Sequence, residues 1–129
     1  MAVAGSVSPM LKIRRSTQSG GKPLTAVYAA VYTEDCSQPF VFVGGIIDLS
    51  TMQAGDTIQI RTRKRVALGG AWLAVDEVTY LNAQPAGHTA VLVQGMTGIY
   101  DIEISMRQTA GVLRTVDTEF MDAKRVGLE

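Results

Sequence analysis

Residues 46–66, IIDLSTMQAGDTIQIRTRKRV, decide how this chain is read. The chain turns at Gln53-Ala54-Gly55-Asp56 and enters a strand in which Ile58 and Ile60 share one face while Arg61, Arg63 and Arg65 share the other. The side-chain period of a strand is two, so a slip of one residue would send the arginines into the core at a prohibitive cost. The turn therefore has to hold the register. A half-buried strand with an apolar inner row and a cationic outer row is the unit from which the rest of the reading extends.

Working outward, 129 residues and 13.8 kDa are most simply one domain, which buries roughly two thirds of its unfolded surface. An apolar fraction of 47% places the chain among globular proteins rather than disordered ones. No run approaches the roughly 18 to 20 apolar residues that span a bilayer, and the longest, Phe40 to Ile47, is interrupted by Gly44-Gly45. In MAVAGSVSPMLKIRR the positive charges follow the apolar part, the wrong order for a secretory signal. The lone Cys36 has no disulfide partner and no Cys or His at metal-ligand spacing. Twelve basic residues balance twelve acidic ones, which argues against non-specific capture of nucleic acid or of an anionic membrane. Electrostatic partners are expected to be met locally.

Residues 1–23 mix Gly, Ser, Thr and Pro with the cluster Lys12, Arg14, Arg15, and SGGKP at Ser19 to Pro23 reads as a joint. This segment is expected to be an N-terminal arm, with Ser8-Pro9 as the cap of one short helix. Residues 24–129 are expected to form the folded domain. Runs rich in β-branched and aromatic residues place strands near 24–33, 39–48, 56–66, 71–81, 89–94, 98–107 and 112–121. The first run also fits a helical stripe through Leu24, Val27, Tyr28 and Val31, and is read here as a strand. Its apolar residues fall on both faces, Val27 and Val31 on one, Tyr28 and Tyr32 on the other, which points to a subunit interface or to cover on both sides. Strand 98–107 alternates cleanly, with Ile102, Ile104 and Met106 on one face and Asp101, Glu103 and Arg107 on the other. Asp76-Glu77 breaks the rhythm of 71–81, as a bulge would. VALGGAW reads as a two-residue Gly-Gly hairpin tip. The fold class is all-β: an antiparallel β-sandwich or a jelly-roll-like small barrel with an extended N-terminal arm.

Candidate chemistry is sparse. His88, the sole histidine, lies in the loop QPAGHT with no Cys, Ser or carboxylate beside it in sequence. Cys36 has Glu34 and Asp35 for neighbours, which raise a thiol pKa rather than activate it. Asp76-Glu77 and the pair Asp101, Glu103 lack the spacing of a calcium loop. The glycine pairs open no helix and precede no Lys-Ser/Thr, so they are not phosphate cradles. No catalytic, metal or cofactor site is expected. What remains is the arginine face, read either as a solvated ladder countered by Asp101 and Glu103 or as a docking strip for an acidic protein surface. The candidate interface set is Leu11, Lys12, Ile13, Arg14, Arg15, Tyr28, Tyr32, Arg61, Arg63 and Arg65.

The stretch IIDLSTMQAGDTIQIR, followed by GIYDIEISMRQTAG and TVDTEF, resembles small β-sandwich virion structural proteins of tailed bacteriophages and related viruses. The matching positions are Asp48 to Ser50, Met52, Ala54 to Asp56, and Gln108 to Gly111, within roughly residues 40–120. The resemblance implies a non-enzymatic virion component, first a capsid decoration or cement protein on the capsid surface, assembled in the host cytoplasm. It implies the major capsid protein or other virion proteins as partners, together with the chain itself as dimer or trimer, and neither nucleic acid nor membrane. A tail or head-completion protein fits the same residues. The alternative class is a carbohydrate-binding sandwich, with Trp72, Tyr80 and Tyr100 as its platform.

Overall fold

A computed structural model describes residues 11–34 and 40–125, so Cys36 and the expected cap at Ser8-Pro9 lie outside the described residues. Nine strands follow one another: β1 (Leu11–Arg15), β2 (Gly20–Pro23), β3 (Ala29–Glu34), β4 (Phe40–Asp48), β5 (Thr57–Lys64), β6 (Leu73–Leu81), β7 (Ala90–Gly98), β8 (Ile102–Ala110) and β9 (Thr115–Arg125). They form two antiparallel sheets. The larger runs β1-β9-β4-β7, with β2 also on β9, and the smaller runs β3-β8-β5-β6. The two share no strand, so the fold is a β-sandwich and not a closed barrel. No helix occurs among the described residues.

Residues 11–23, which the sequence analysis assigns to the arm, run as two short strands along β9. Leu11 to Arg15 pair with Arg125 to Met121, and Gly20 to Pro23 pair with Thr118 to Thr115. Between them Ser16 is buried and donates its N–H to the Phe120 carbonyl. The expected basic strand is β5, with Ile58 and Ile60 buried and Arg61 and Arg63 on the opposite face, as the turn before it requires. Two expectations about connections change. The loop after β5 runs from Arg65 to Trp72, with a turn in which the Gly70 N–H donates to the Ala67 carbonyl, so Gly69-Gly70 is not a two-residue hairpin tip. The run at 24–33 becomes a strand only at Ala29, and its register shifts between Ala30 and Tyr32. That bulge turns Val31 and Tyr32 to the same side, and both are buried. Tyr32 is thus a core residue and leaves the interface set. A second bulge in β6 lies at Val75, beside the Asp76-Glu77 break in the apolar rhythm.

The core lies between the sheets. Phe42, Ile47, Val93, Val116 and Phe120 come from the larger sheet, and Ile58, Ile60, Ile102, Ile104 and Met106 from the smaller. Tyr32 reaches across to the larger sheet, its ring centroid 4.6 Å from Phe42 and 5.2 Å from Phe120. Its hydroxyl donates to Glu34 Oε2 at 2.8 Å and lies 3.4 Å from Asp122 Oδ2. Burial, with Glu34 next, pushes the Tyr32 phenol well above its ordinary range, so it stays protonated and serves as a donor.

β4 crosses β9 so closely that a Cβ on Gly45 would lie 2.6 Å from both the Glu119 carbonyl oxygen and Phe120 Cδ1. Replacing Gly45 by Ala is expected to destabilise the fold by about 1 to 3 kcal/mol in urea denaturation, because backbone cannot yield as a side chain can. Gly21→Ala, whose Cβ would meet nothing closer than 3.5 Å, is the control, expected to stay within about 0.5 kcal/mol.

Candidate functional site

The outward row of β5 is the most charged surface in the sequence, and the structure divides it in two. Arg63 faces Glu103 across β5 and β8, with Nη2 2.6 Å from Oε1. Arg65, just past β5, reaches Asp101 at 2.8 Å. Both guanidiniums also cover the Trp72 ring, Arg63 at 4.9 Å and Arg65 at 4.4 Å from its centroid. This half is countered from within the chain, by the carboxylates the sequence offered for it. The other half differs. Arg61 and Arg107 lie 3.9 and 4.4 Å from the Tyr28 ring centroid, and neither has a carboxylate at ion-pair distance among the described residues. Arg107 instead donates to Gln59. Burial first, and Glu77 second, push the Tyr28 phenol above its ordinary pKa. Arg107 was legible in the alternation of strand 98–107, yet nothing in sequence tied it to Arg61, because only the β5–β8 register brings them to one ring.

The residues that carry the family resemblance converge at one end of the sandwich. The turn at Gln53 to Asp56 closes with the Asp56 N–H on the Gln53 carbonyl, and Gly55 takes a φ of +89°. Asp56 is buried. Its Oδ2 accepts from the Gln53 N–H at 2.8 Å and from Arg114 Nε at 2.7 Å. Its carbonyl accepts from the Asn82 N–H, while Asn82 Oδ1 accepts from the Gly55 N–H. Gly111, with a φ of +88°, passes so close that any Cβ there would strike the Asp56 carboxylate. Gln108, equally buried, donates to the carbonyls of Ala110 and Val112 and accepts from the Arg114 N–H. Arg114 first, and the Gln53 N–H second, hold the Asp56 carboxyl below the usual carboxylate range. Asp48, at the other end of the motif, is lowered chiefly by the Ser50 N–H that it accepts at 2.9 Å. These residues bond chiefly to one another and to the backbone, and so hold the fold.

The other candidates separate. Lys12, Ile13 and Arg15 are exposed on β1, while Arg14 turns to Asp122, with Nε 3.3 Å from Oδ1. His88 is exposed in the β6–β7 loop. Trp72 lies under arginines on the outer face of the smaller sheet, whereas Tyr80 packs against the core from the inner side of β6, so no common aromatic platform with Tyr100 forms. A groove of ≈ 560 Å³ opens between β6 and β7, lined mainly by apolar side chains such as Val75, Val78, Tyr80, Val91 and Met96. No cluster of three or more His, Cys, Asp or Glu suited to a metal occurs among the described residues.

Two predictions follow from this geometry. Asp56 is charged in the native state at pH values where it is protonated in the unfolded chain, so its contribution is full above about pH 4 and disappears as pH falls through the depressed native pKa. Melting temperatures measured from pH 7 down to pH 2 should therefore fall more steeply for the wild type than for Asp56→Asn. Parallel curves would remove the carboxylate from this role. Replacing Arg61, Arg63 and Arg65 together by Ser strips Glu103, Asp101 and the Trp72 ring of their cations and leaves Tyr28 with Arg107 alone. The expected loss is about 1 to 3 kcal/mol in urea, with Trp72 emission shifting to the red.

No family model matches the chain, and no curated protein matches it. Among solved structures it is similar to the infectious bursal disease virus VP2 subviral particle, with a TM-score of 0.48 and 12% identity over 95% of this chain and 36% of that one. It is also similar to a mutant VP2 protein of the same virus in derived T=1 particles, with a TM-score of 0.44 and 13% identity over 95% of this chain and 35% of that one. The chain thus spans about a third of the length of the structures it matches.

Proposed function

We propose that the chain is a non-enzymatic structural component of a virion and, within that class, a capsid decoration or cement protein on the surface of a viral head. The observation that carries this reading is where the polar chemistry is spent. Asp56, Gln108, Gly111 and Arg114 lock one end of the sandwich, and Arg63 and Arg65 are neutralised by Glu103 and Asp101. The remaining surface is contact area: exposed apolar strand faces, the free edges of β6 and β7, and the corner formed by Tyr28, Arg61 and Arg107. Such a surface suits assembly better than turnover.

In this reading the Tyr28–Arg61–Arg107 corner docks on carboxylates of the major capsid protein or another virion protein, an attachment weakened by salt and by Arg to Lys changes. Arg63 and Arg65 take a supporting part, because their charges are already met. A tail or head-completion role uses the same surface. The carbohydrate reading loses support with the separation of Trp72 from Tyr80.

Immunogold labelling with antibody against the purified chain, applied to particles released from cells carrying its coding sequence, tests the proposal. Gold over heads is the expected result. Gold confined to tails would replace decoration with the tail role, and unlabelled particles would overturn the virion assignment.

A further inference from the structure

An edge strand presents a row of unpaired N–H and C=O groups that another strand can take, and folded chains guard such edges with charge, proline, bulges or short length. Most edges of this sandwich are guarded. β1 carries Lys12, Arg14 and Arg15, and β2 ends in Pro23. On the smaller sheet, β3 is six residues long and shifts register between Ala30 and Tyr32, while β6 has its bulge beside Asp76 and Glu77.

β7 has none of these protections. Its nine residues, AVLVQGMTG, pair with β4 in one unbroken register, from Asp48 opposite Ala90 to Phe40 opposite Gly98. Of the nine strands among the described residues it alone lacks Asp, Glu, Lys and Arg, and it lies within a run from Leu81 to Tyr100 that has none of them either. On its outer side Leu92 is 77% exposed and Gln94 is exposed, with Val93 buried between them. On its inner side Val91 and Met96 are only partly covered, and they line the groove that opens between β7 and β6.

We infer that β7 pairs antiparallel with β7 of a second copy of the chain across a two-fold axis, joining two larger sheets into one. The incoming strand has to be uncharged on both sides, since it sets one row beside Leu92 and the other beside Val91 and Val93. Among the described strands only β7 itself meets that demand. A strand laid antiparallel on its own copy returns every hydrogen bond it receives, as an isologous contact requires. A two-fold axis normal to the sheet keeps like faces together, so Leu92 and Gln94 oppose the outward row of the other copy while Val91 and Val93 extend both cores. The pairing uses up both free edges and closes the assembly at two chains. Nucleic acid and anionic membrane find no cation on this strand. This inference stands apart from the virion reading and holds or fails without it.

Sedimentation of the purified chain at micromolar concentrations, together with amide hydrogen exchange, tests the pairing. The wild type is expected to sediment as a dimer. Those β7 amides that point away from β4 should be protected in it, and should exchange at least about tenfold faster on dilution to the monomer. Leu92→Lys with Gln94→Lys sets like charges against each other across the axis at two exposed positions. This variant is expected to keep the circular dichroism and melting of the wild type and to self-associate at least about tenfold more weakly. A monomeric wild type would overturn the inference. So would a variant that dimerises undiminished, or a dimer whose β7 amides exchange as freely as in the monomer, which places the contact on another surface. Exchange in the wild type needs no substitution, so it decides the matter even where the double lysine chain fails to fold.

Discussion

The carboxylate of Asp56 holds three separate parts of the chain at one end of the sandwich. It closes its own turn through the Gln53 N–H, draws in the β8–β9 connection through Arg114, and leaves its carbonyl to the Asn82 N–H of the β6–β7 loop. A buried carboxylate without such donors would be strongly unfavourable, so the partners must all be in place together. That requirement fixes where β5 begins. From there the period of two sends Ile58 and Ile60 to the core and Arg61 and Arg63 outward.

The sheets depart from regular pairing where the core needs it. The bulge before Tyr32 brings two consecutive residues of β3 inward and lets the Tyr32 ring join Phe42 and Phe120. Another, between Phe42 and Gly44, accompanies a φ of +137° at Gly44 and the close crossing of β4 over β9 at Gly45. Irregularities of this kind increase local twist, and twist lets two sheets wrap one core while β6 and β7 remain apart and leave the groove open.

The two outer faces solve different electrostatic problems. On the smaller sheet Arg63 and Arg65 meet Glu103 and Asp101, while Arg61 and Arg107 share the Tyr28 ring, so half of these arginines are neutralised locally. On the outer face of the larger sheet, Ile46 and Leu92 stand level with Glu119 and beside the Asp48–Asp117 pair, and Arg15 lies one diagonal step from Glu119. Surface of the first kind costs little to leave in water. Surface of the second kind gains by being covered.

The sequence alone determined the all-β class and the inward and outward sides of β5 and β8, because alternation depends only on the backbone repeat. The turn at Gln53 to Asp56 was legible as well, since its Ala-Gly-Asp stands between apolar runs, whereas Asp48 and Gln108 to Gly111 were marked only by resemblance, and the burial of Asp56 and Gln108 came with the fold. Tertiary structure decided the rest. Leu11 to Arg15 and Gly20 to Pro23 carry too little β propensity to be recognised, and become strands because β9 offers them an unpaired edge. Tyr32 looked like an exposed partner of Tyr28 because alternation cannot register an extra residue, and the bulge that buries it arises only when β3 meets β8. Arg61 and Arg107 stand 46 positions apart and share one tyrosine through pairing register alone. Periodicity is a local property of the chain, whereas which charges meet, and which are left unmet, depends on strands distant in sequence lying side by side.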